Sequence, residues 1–137
     1  MGRNVGKILI DSDVLIDVLR GQKDVAEALA GVLREHRVGC SVVTVAELFG
    51  GMRPAEERAT RVLISQVRLF PVSSKVAELA GRFLNEFGRS HGVDIADALI
   101  GATSVIEESR LWTWNRRHYP APRIRFWKPS VSGGSDG

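Results

Sequence analysis

Short apolar runs alternate along this chain with longer stretches in which apolar residues recur every three or four positions. Residues 7–10 and 38–43 have the length and composition of strands that are buried on both faces of a sheet. The stretches at 12–19 and 24–35 have the spacing of amphipathic helices. This alternation predicts an α/β fold, in which helices flank a central and mostly parallel sheet.

The remaining pattern predicts elements of the same two kinds. Thr44 is placed to begin a short helix that Gly50, Gly51 and Pro54 end. Further helices are predicted over 54–66, from Ser73 or Ser74 to 87, and over 96–107, with strands over 68–72, 111–113 and 124–127. We therefore predict one domain over residues 1–129 and a flexible tail over 130–137.

Composition narrows the class of protein. A chain of 137 residues with 44% hydrophobic and 26% charged residues is typical of one globular domain and not of a disordered protein. Its single cysteine, Cys40, excludes an intramolecular disulfide and a multi-cysteine zinc site. No apolar run approaches the ~20 residues that span a bilayer, and the amino terminus does not have the pattern of a signal peptide. These features predict a cytoplasmic protein that makes no membrane contact.

Four acidic residues share one predicted structural position. Asp11 ends the first strand, Glu47 lies in the first turn after the second strand, and Asp94 and Asp97 open a later helix. In open parallel sheets, ligands bind where the strands end and the following helices begin. The sequence therefore predicts that these acids meet in one crevice.

Each acid also has a purely structural interpretation. Thr44 and Glu47 have the spacing of a capping box, Asp94 and Asp97 have the same spacing, and Ser12 is a good cap for the helix after Asp11. If the carboxylates do converge, their mutual repulsion raises their pKa values, and a divalent cation would relieve it. Because no His or Cys accompanies them, a hard ion such as Mg²⁺ or Mn²⁺ is expected and zinc is not.

Three blocks of the sequence resemble the motifs of PIN-domain nucleases, especially VapC-type toxins of bacterial toxin–antitoxin pairs. These blocks are ILIDSDVLIDVL, SVVTVAELFGG and GVDIADALIGATSVIEESRLWTWNRRHY, and together they extend over residues 7–127 in the family's order. The resemblance implies a PIN-like three-layer sandwich that hydrolyses RNA phosphodiester bonds with Mg²⁺ or Mn²⁺. It also implies a cognate antitoxin partner and a homodimer, for which Gly50, Gly51 and Leu63 offer candidate contacts.

The family's functional positions can be carried over by residue. Asp11, Glu47 and Asp97 match its catalytic and metal-binding acids, and Ser12, Thr113 and Asn115 match neighbouring polar positions of the site. Many relatives carry a fourth acid where this chain has Asn115, so Asp94 is a further candidate ligand. Asp13 is a candidate peripheral helper, and Asp17 is expected to be solvated. Basic residues that suit RNA phosphates are Arg116, Arg117 and the segment from Arg53 to Arg68.

Two other classes of function fit parts of the pattern. A haloacid-dehalogenase-like phosphatase would use Asp11 as nucleophile and Asp13 as acid, but this interpretation leaves the TVAELFGG and LWTWN segments unexplained. A nucleic-acid-binding module with a degenerate site would use the basic clusters without catalysis. Trp112, Trp114 and Trp127 are expected to be core residues in either case.

Overall fold

A four-stranded sheet forms the centre of the protein in a computed structural model, which describes residues 6–130. Its strands are β1 (Lys7–Ile10), β2 (Arg37–Ser41), β3 (Arg68–Phe70) and β4 (Arg110–Trp112). They pair in the order β3-β2-β1-β4, and every pairing is parallel. The parallel sheet expected from the alternation of strands and helices is therefore confirmed.

Six α-helices connect the strands. They are α1 (Ser12–Leu19), α2 (Lys23–Glu35), α3 (Val42–Gly51), α4 (Glu57–Ser65), α5 (Ser74–His91) and α6 (Ile95–Ile106). Short 3₁₀ turns cover Pro54–Glu56 and Arg116–His118. None of the helices within residues 6–130 is long and apolar enough to cross a membrane.

The central strand β1 divides the interior into two apolar layers. Ile8 and Ile10 pack on one face with residues of α1, α2, α3 and α4, whereas Leu9 packs on the other face with residues of α5 and α6. Successive side chains of a strand point to opposite faces, so both faces of β1 are covered. The result is a three-layer sandwich of helices, sheet and helices.

The boundary between β2 and α3 differs from the sequence prediction. The helix begins at Val42, and Ser41 caps it by accepting a hydrogen bond from the Val43 amide at 3.0 Å. Thr44 therefore lies inside the helix, where its buried hydroxyl has no partner among the described residues. The capping-box interpretation of Thr44 and Glu47 is wrong, because Ser41 already supplies a cap hydroxyl earlier in the chain.

The predicted last strand is also wrong as a full strand. Phe126 forms a single parallel bridge with Leu111, supported by bonds from Leu111 N to Arg125 O and from Trp127 N to Leu111 O. Prolines at 120, 122 and 129 surround this segment and have no amide proton to donate, which limits further pairing. Residues 131–137 of the predicted tail lie outside the described part of the chain.

Two helices have bounds that differ from those predicted from the sequence. The segment 54–66 is divided into the 3₁₀ turn and α4, and α5 continues past the predicted end at 87 to His91. Gly92 ends α5 in the left-handed conformation, with φ 65°, which glycine adopts without steric cost. Gly88, which directly follows the predicted end of the helix, lies within α5 and does not end it.

Replacing Gly39 with alanine is expected to destabilise the fold by about 1–3 kcal/mol, the usual cost of overpacking a tight site. An added Cβ at Gly39 would overlap the ring of Phe70 and lie 2.8 Å from the carbonyl oxygen of Arg68 on the neighbouring strand. Urea unfolding measures this cost. Gly81→Ala on α5 is the control, since its Cβ would contact nothing within 4 Å and alanine favours helix. Equal stability of the two variants would contradict the packing described for β2 and β3.

Candidate active site

Asp11 stands where β1 ends and α1 begins. It is 6% exposed, and its carboxylate caps α1 by accepting a hydrogen bond from the Ser12 amide at 2.8 Å. The other oxygen, Oδ2, accepts hydrogen bonds from Thr113 Oγ1 at 2.8 Å and from the Tyr119 hydroxyl at 2.7 Å. Four hydrogen-bonded groups thus fix this buried carboxylate when the weaker Ser12 hydroxyl contact at 3.5 Å is included.

Glu47 reaches the same location from α3. Its Oε1 accepts a hydrogen bond from Ser12 Oγ at 2.7 Å, which ties it to the residue next to Asp11. Burial raises the pKa of Glu47, the charges of Asp11 and Asp94 raise it further, and the Ser12 hydrogen bond opposes them. Part of Glu47 remains open to solvent. Ser12, which was predicted to cap α1, is instead its first residue, and its hydroxyl connects two of the acids.

Asp94 and Asp97 have different roles at the start of α6. Asp94 Oδ1 accepts a hydrogen bond from the Asp97 amide at 2.9 Å, so the capping interpretation of Asp94 is confirmed. Burial raises the pKa of Asp97 to about 6, with further contributions from the charges of Asp94 and Asp11. His118 Nδ1 lies 3.9 Å from Asp97 Oδ2 and opposes this shift. Asp97 therefore lies near enough to Asp94 and Asp11 for their charges to raise its pKa.

Asp13 holds the loop that follows β4. Its Oδ2 accepts hydrogen bonds from the Trp114 amide at 3.0 Å and from Asn115 Nδ2 at 2.9 Å. Thr113 Oγ1, whose shorter contact is with Asp11, lies 3.3 Å from the same oxygen. Burial raises the pKa of Asp13 to about 6, and the charge of Asp11 adds to the shift. Asn115 is thus bound to a carboxylate in place of supplying one, and Asp13 connects α1 to the loop after β4 beside Asp11.

Trp114 and Asp17 differ from their predicted environments. Trp114 is 45% exposed and donates its indole N–H to Asp17 Oδ2 at 2.9 Å. The expectation that Trp114 is a core residue is wrong, as is the expectation that Asp17 is only solvated. Trp112 is fully buried, as predicted, and Trp127 is partly buried beside it.

Tyr119 is the site residue that the sequence analysis missed. Its partner Asp11 is 108 positions away, so no local spacing connects the two. Burial raises the pKa of the Tyr119 hydroxyl, and the neighbouring charge of Asp11 acts in the same direction. The hydroxyl therefore stays protonated and acts as a hydrogen-bond donor to Asp11.

The predicted RNA-binding arginines lie in two separate segments and have different environments. Arg116 and Arg117 are exposed on the 3₁₀ turn after Asn115, and the Arg116 guanidinium lies 4.9 Å from the centroid of the Phe126 ring. In the segment from Arg53 to Arg68, Arg61 pairs with Glu57 at 2.9 Å. Arg116 and Arg117 are therefore the predicted basic residues that directly follow a polar residue of the site, Asn115.

The donor set fits a hard divalent cation in its chemistry. Asp11, Glu47 and Asp97 offer carboxylate oxygens, and the raised pKa values of the last two reflect burial and repulsion that a cation would relieve. Within residues 6–130, no three His, Cys, Asp or Glu side chains lie close enough together to hold an ion as they stand. Binding would therefore require one or more of these carboxylates to turn inward.

Replacing Asp97 with Asn is expected to stabilise the metal-free protein by about 1 kcal/mol at neutral pH, an amount reduced for solvent screening. The raised pKa means that the folded protein binds the Asp97 proton more tightly than the unfolded chain does. Wild-type stability should therefore rise as pH falls through about 6 towards 3.8, the ordinary pKa of an aspartate, and the variant should lack this part of the slope. Urea unfolding in EDTA at several pH values measures both effects. A variant that is less stable at neutral pH would contradict the electrostatic account.

Comparison with known proteins gives one consistent family. The PIN domain family model matches residues 8–122. Ribonuclease VapC10 of Mycobacterium tuberculosis is 39% identical over 114 residues, which cover 82% of this chain and 86% of that protein.

Solved structures agree with this match. VapBC2 from Rickettsia felis, bound to a DNA fragment from its promoter, superposes with a TM-score of 0.76 at 16% identity, over 89% of this chain and 99% of that chain. VapBC-5 from M. tuberculosis, a member of the VapBC family of toxin–antitoxin systems, superposes with a TM-score of 0.62 at 25% identity, over 88% and 97%. The expected PIN-like sandwich is confirmed by these matches.

Proposed function

Because this chain belongs to the PIN-domain family, we propose that it is a divalent-metal-dependent endoribonuclease and the toxin of a toxin–antitoxin pair. The observation that carries the proposal is that Ser12 Oγ joins Glu47 to Asp11 where β1 ends, while Asp97 lies near enough for the charge of Asp11 to raise its pKa. The name of the M. tuberculosis relative, a ribonuclease, supports RNA as the substrate.

In this proposal the three carboxylates hold Mg²⁺ or Mn²⁺ and orient the attacking water. The ion would supply positive charge for the transition state and would lower the pKa of water bound to it. Thr113 and Tyr119 fix Asp11 through their hydroxyl groups, and Ser12 fixes Glu47. A carboxylate that is not fully engaged with the ion acts as the general base.

Substrate binding is assigned to the polar and basic residues at the edge of the acidic site. Arg116 and Arg117 bind the RNA backbone, since exposed guanidinium groups suit phosphate oxygens. Asn115 acts through Asp13, which fixes the loop from which the two arginines extend. Asp94 shapes the site as the cap of α6 and adds negative charge beside Asp97.

Two protein partners belong to the proposal. An antitoxin partner is supported by the solved relatives, which belong to toxin–antitoxin systems. An antitoxin guanidinium inserted among these carboxylates would compete with the metal. A homodimer would use the exposed glycines Gly50 and Gly51. Leu63 is buried in the core and does not serve that contact, whereas Val62 on the same helix is 51% exposed.

The phosphatase alternative has less support. It requires Asp13 as a free acid close to Asp11, but Asp13 Oδ2 accepts hydrogen bonds from the Trp114 amide and from Asn115 Nδ2. It also leaves the contact between Ser12 and Glu47 without a role.

Incubation of the purified protein with total bacterial RNA tests the proposal. Discrete cleavage sites, mapped by sequencing of the new RNA ends, are expected with Mg²⁺ or Mn²⁺ and not with EDTA. Asp24→Asn, which removes an exposed acid of α2, is the matched control and should cleave like the wild type. Intact RNA in the presence of either metal, or release of inorganic phosphate from a phosphomonoester, would overturn the proposal.

A further inference from the structure

A basic cleft lies at the opposite edge of the sheet from the acidic site. It has a volume of about 990 Å³, within the range of sites that accept a ligand the size of a nucleotide. Six basic residues line it: Lys7, His36, Arg37, Arg110, Arg123 and Arg125. Among the described residues that line the cleft, Glu108 is the one acid.

The parallel topology explains why these charges converge. Lys7, Arg37 and Arg110 are the first residues of β1, β2 and β4, and parallel strands begin at the same edge of a sheet. Lys7 and Arg37 are direct register partners, and like charges in paired positions destabilise a sheet. Within residues 6–130, the only ion pair that a cleft residue forms is the one between Lys7 and Glu107, at 3.8 Å. The cleft therefore carries a positive charge that an anionic ligand would neutralise.

The last segment of the described chain adds two more cations. The hydrogen bond from Leu111 N to Arg125 O, at 2.8 Å, holds this segment beside β4 and keeps Arg123 and Arg125 at the cleft. Phe126, the next residue, lies under the guanidinium of Arg116. Basic residues thus continue from the cleft towards the candidate active site. Lys7 lies four positions before Asp11, or about 13 Å at the rise of a strand.

We propose that this cleft binds the phosphate backbone of single-stranded RNA at a position remote from the scissile bond. The inference rests on the proposed ribonuclease function and adds to it a second binding site. Arginine predominates in the cleft, and its planar guanidinium matches phosphate oxygens in a bidentate manner. Because basic residues continue through Arg116, the favoured ligand is a strand of RNA that extends from the acids to the cleft. An acidic protein segment confined to the cleft would not use Arg116.

Two double variants remove charge from the cleft on different elements. Arg123→Gln with Arg125→Gln changes the irregular last segment, and Arg37→Gln with Arg110→Gln changes two strands. A matched control, Lys75→Gln with Arg82→Gln, removes the same charge from exposed positions of α5 outside the cleft. Binding of a long and a short fluorescent oligouridine is measured by anisotropy in EDTA, which prevents cleavage, over a series of salt concentrations.

Each cleft variant should bind the long oligomer about tenfold more weakly, with the salt slope reduced by about 1.4, because two phosphate contacts are lost. The short oligomer, which cannot reach from the cleft to Arg116 and Arg117, should bind the wild type more weakly than the long oligomer does. Affinities and slopes equal to those of the control would overturn the inference, as would binding of polyglutamate as tight as that of RNA. If one cleft pair does not fold, the other pair decides.

Failure of the nuclease proposal gives a different result. In that case the wild type leaves RNA intact in Mg²⁺, while loss of long-RNA binding in the cleft variants still supports the cleft. Conversely, cleavage by the wild type with unchanged binding in both cleft variants supports the nuclease and overturns the cleft.

Discussion

Replacing Asp11 with Asn is expected to lower the rate of RNA cleavage at least about 100-fold, the usual loss when a group that stabilises transition-state charge is removed. The change removes one negative charge and keeps the shape of the side chain. The amide oxygen can still accept the hydrogen bonds from Thr113 and Tyr119. The Ser12 amide loses its acceptor Oδ1, at a cost of about 1 kcal/mol, which is too small to unfold the domain. Single-turnover cleavage of a mapped RNA measures the loss, and thermal unfolding confirms that the protein remains folded.

Glu47→Gln and Asp97→Asn should each cause a loss of similar size. Asp94→Asn is the informative contrast, because Asp94 has a described role as the cap of α6 and an amide oxygen also caps a helix. We expect only a partial loss in Asp94→Asn. Cleavage close to the wild-type rate in Asp11→Asn, Glu47→Gln or Asp97→Asn would remove that residue from the proposed metal site.

Expression of the chain without an antitoxin is expected to arrest bacterial growth. A ribonuclease turns over many RNA molecules, so a small amount of active enzyme should stop division, and colony counts after induction should fall by orders of magnitude. The Asp11→Asn variant, expressed to the same level, should leave growth unchanged. Colony counts with parallel immunoblots measure both.

The growth experiment separates toxicity from catalysis. Normal growth with soluble wild-type protein that cleaves RNA in vitro would overturn the toxin assignment and leave the nuclease assignment standing. Arrest by Asp11→Asn as strong as that by the wild type would show that toxicity does not require the acidic site.

Much of the architecture could be predicted from local pattern. The first strand and α1 have the predicted bounds, because the apolar run and the helical period adjoin without ambiguity at Asp11. The start of α3 was missed since Ser41 and Thr44 both suit a cap, and only packing decides between them. The last strand was overestimated because its apolar residues pair with β4 at only one bridge.

In the candidate site, too, some residues could be predicted from the sequence around them, whereas others depend on contacts with distant parts of the chain. The positions of Asp11 and Glu47 were predictable, because each one follows a strand of the parallel sheet and such positions lie at the same end of it. The roles of Tyr119 and Asp13 were not, since each depends on contacts that span about a hundred residues. The basic cleft likewise depends on strand register, which periodicity does not reveal.

The central claim is that Asp11, Glu47 and Asp97 together hold a divalent cation. Anomalous diffraction from crystals soaked in Mn²⁺ tests it most directly, with crystals of Asp11→Asn as the control. A manganese peak is expected among these three carboxylates in the wild type, and its loss is expected in the variant. A peak elsewhere, or one that persists unchanged in Asp11→Asn, would contradict it.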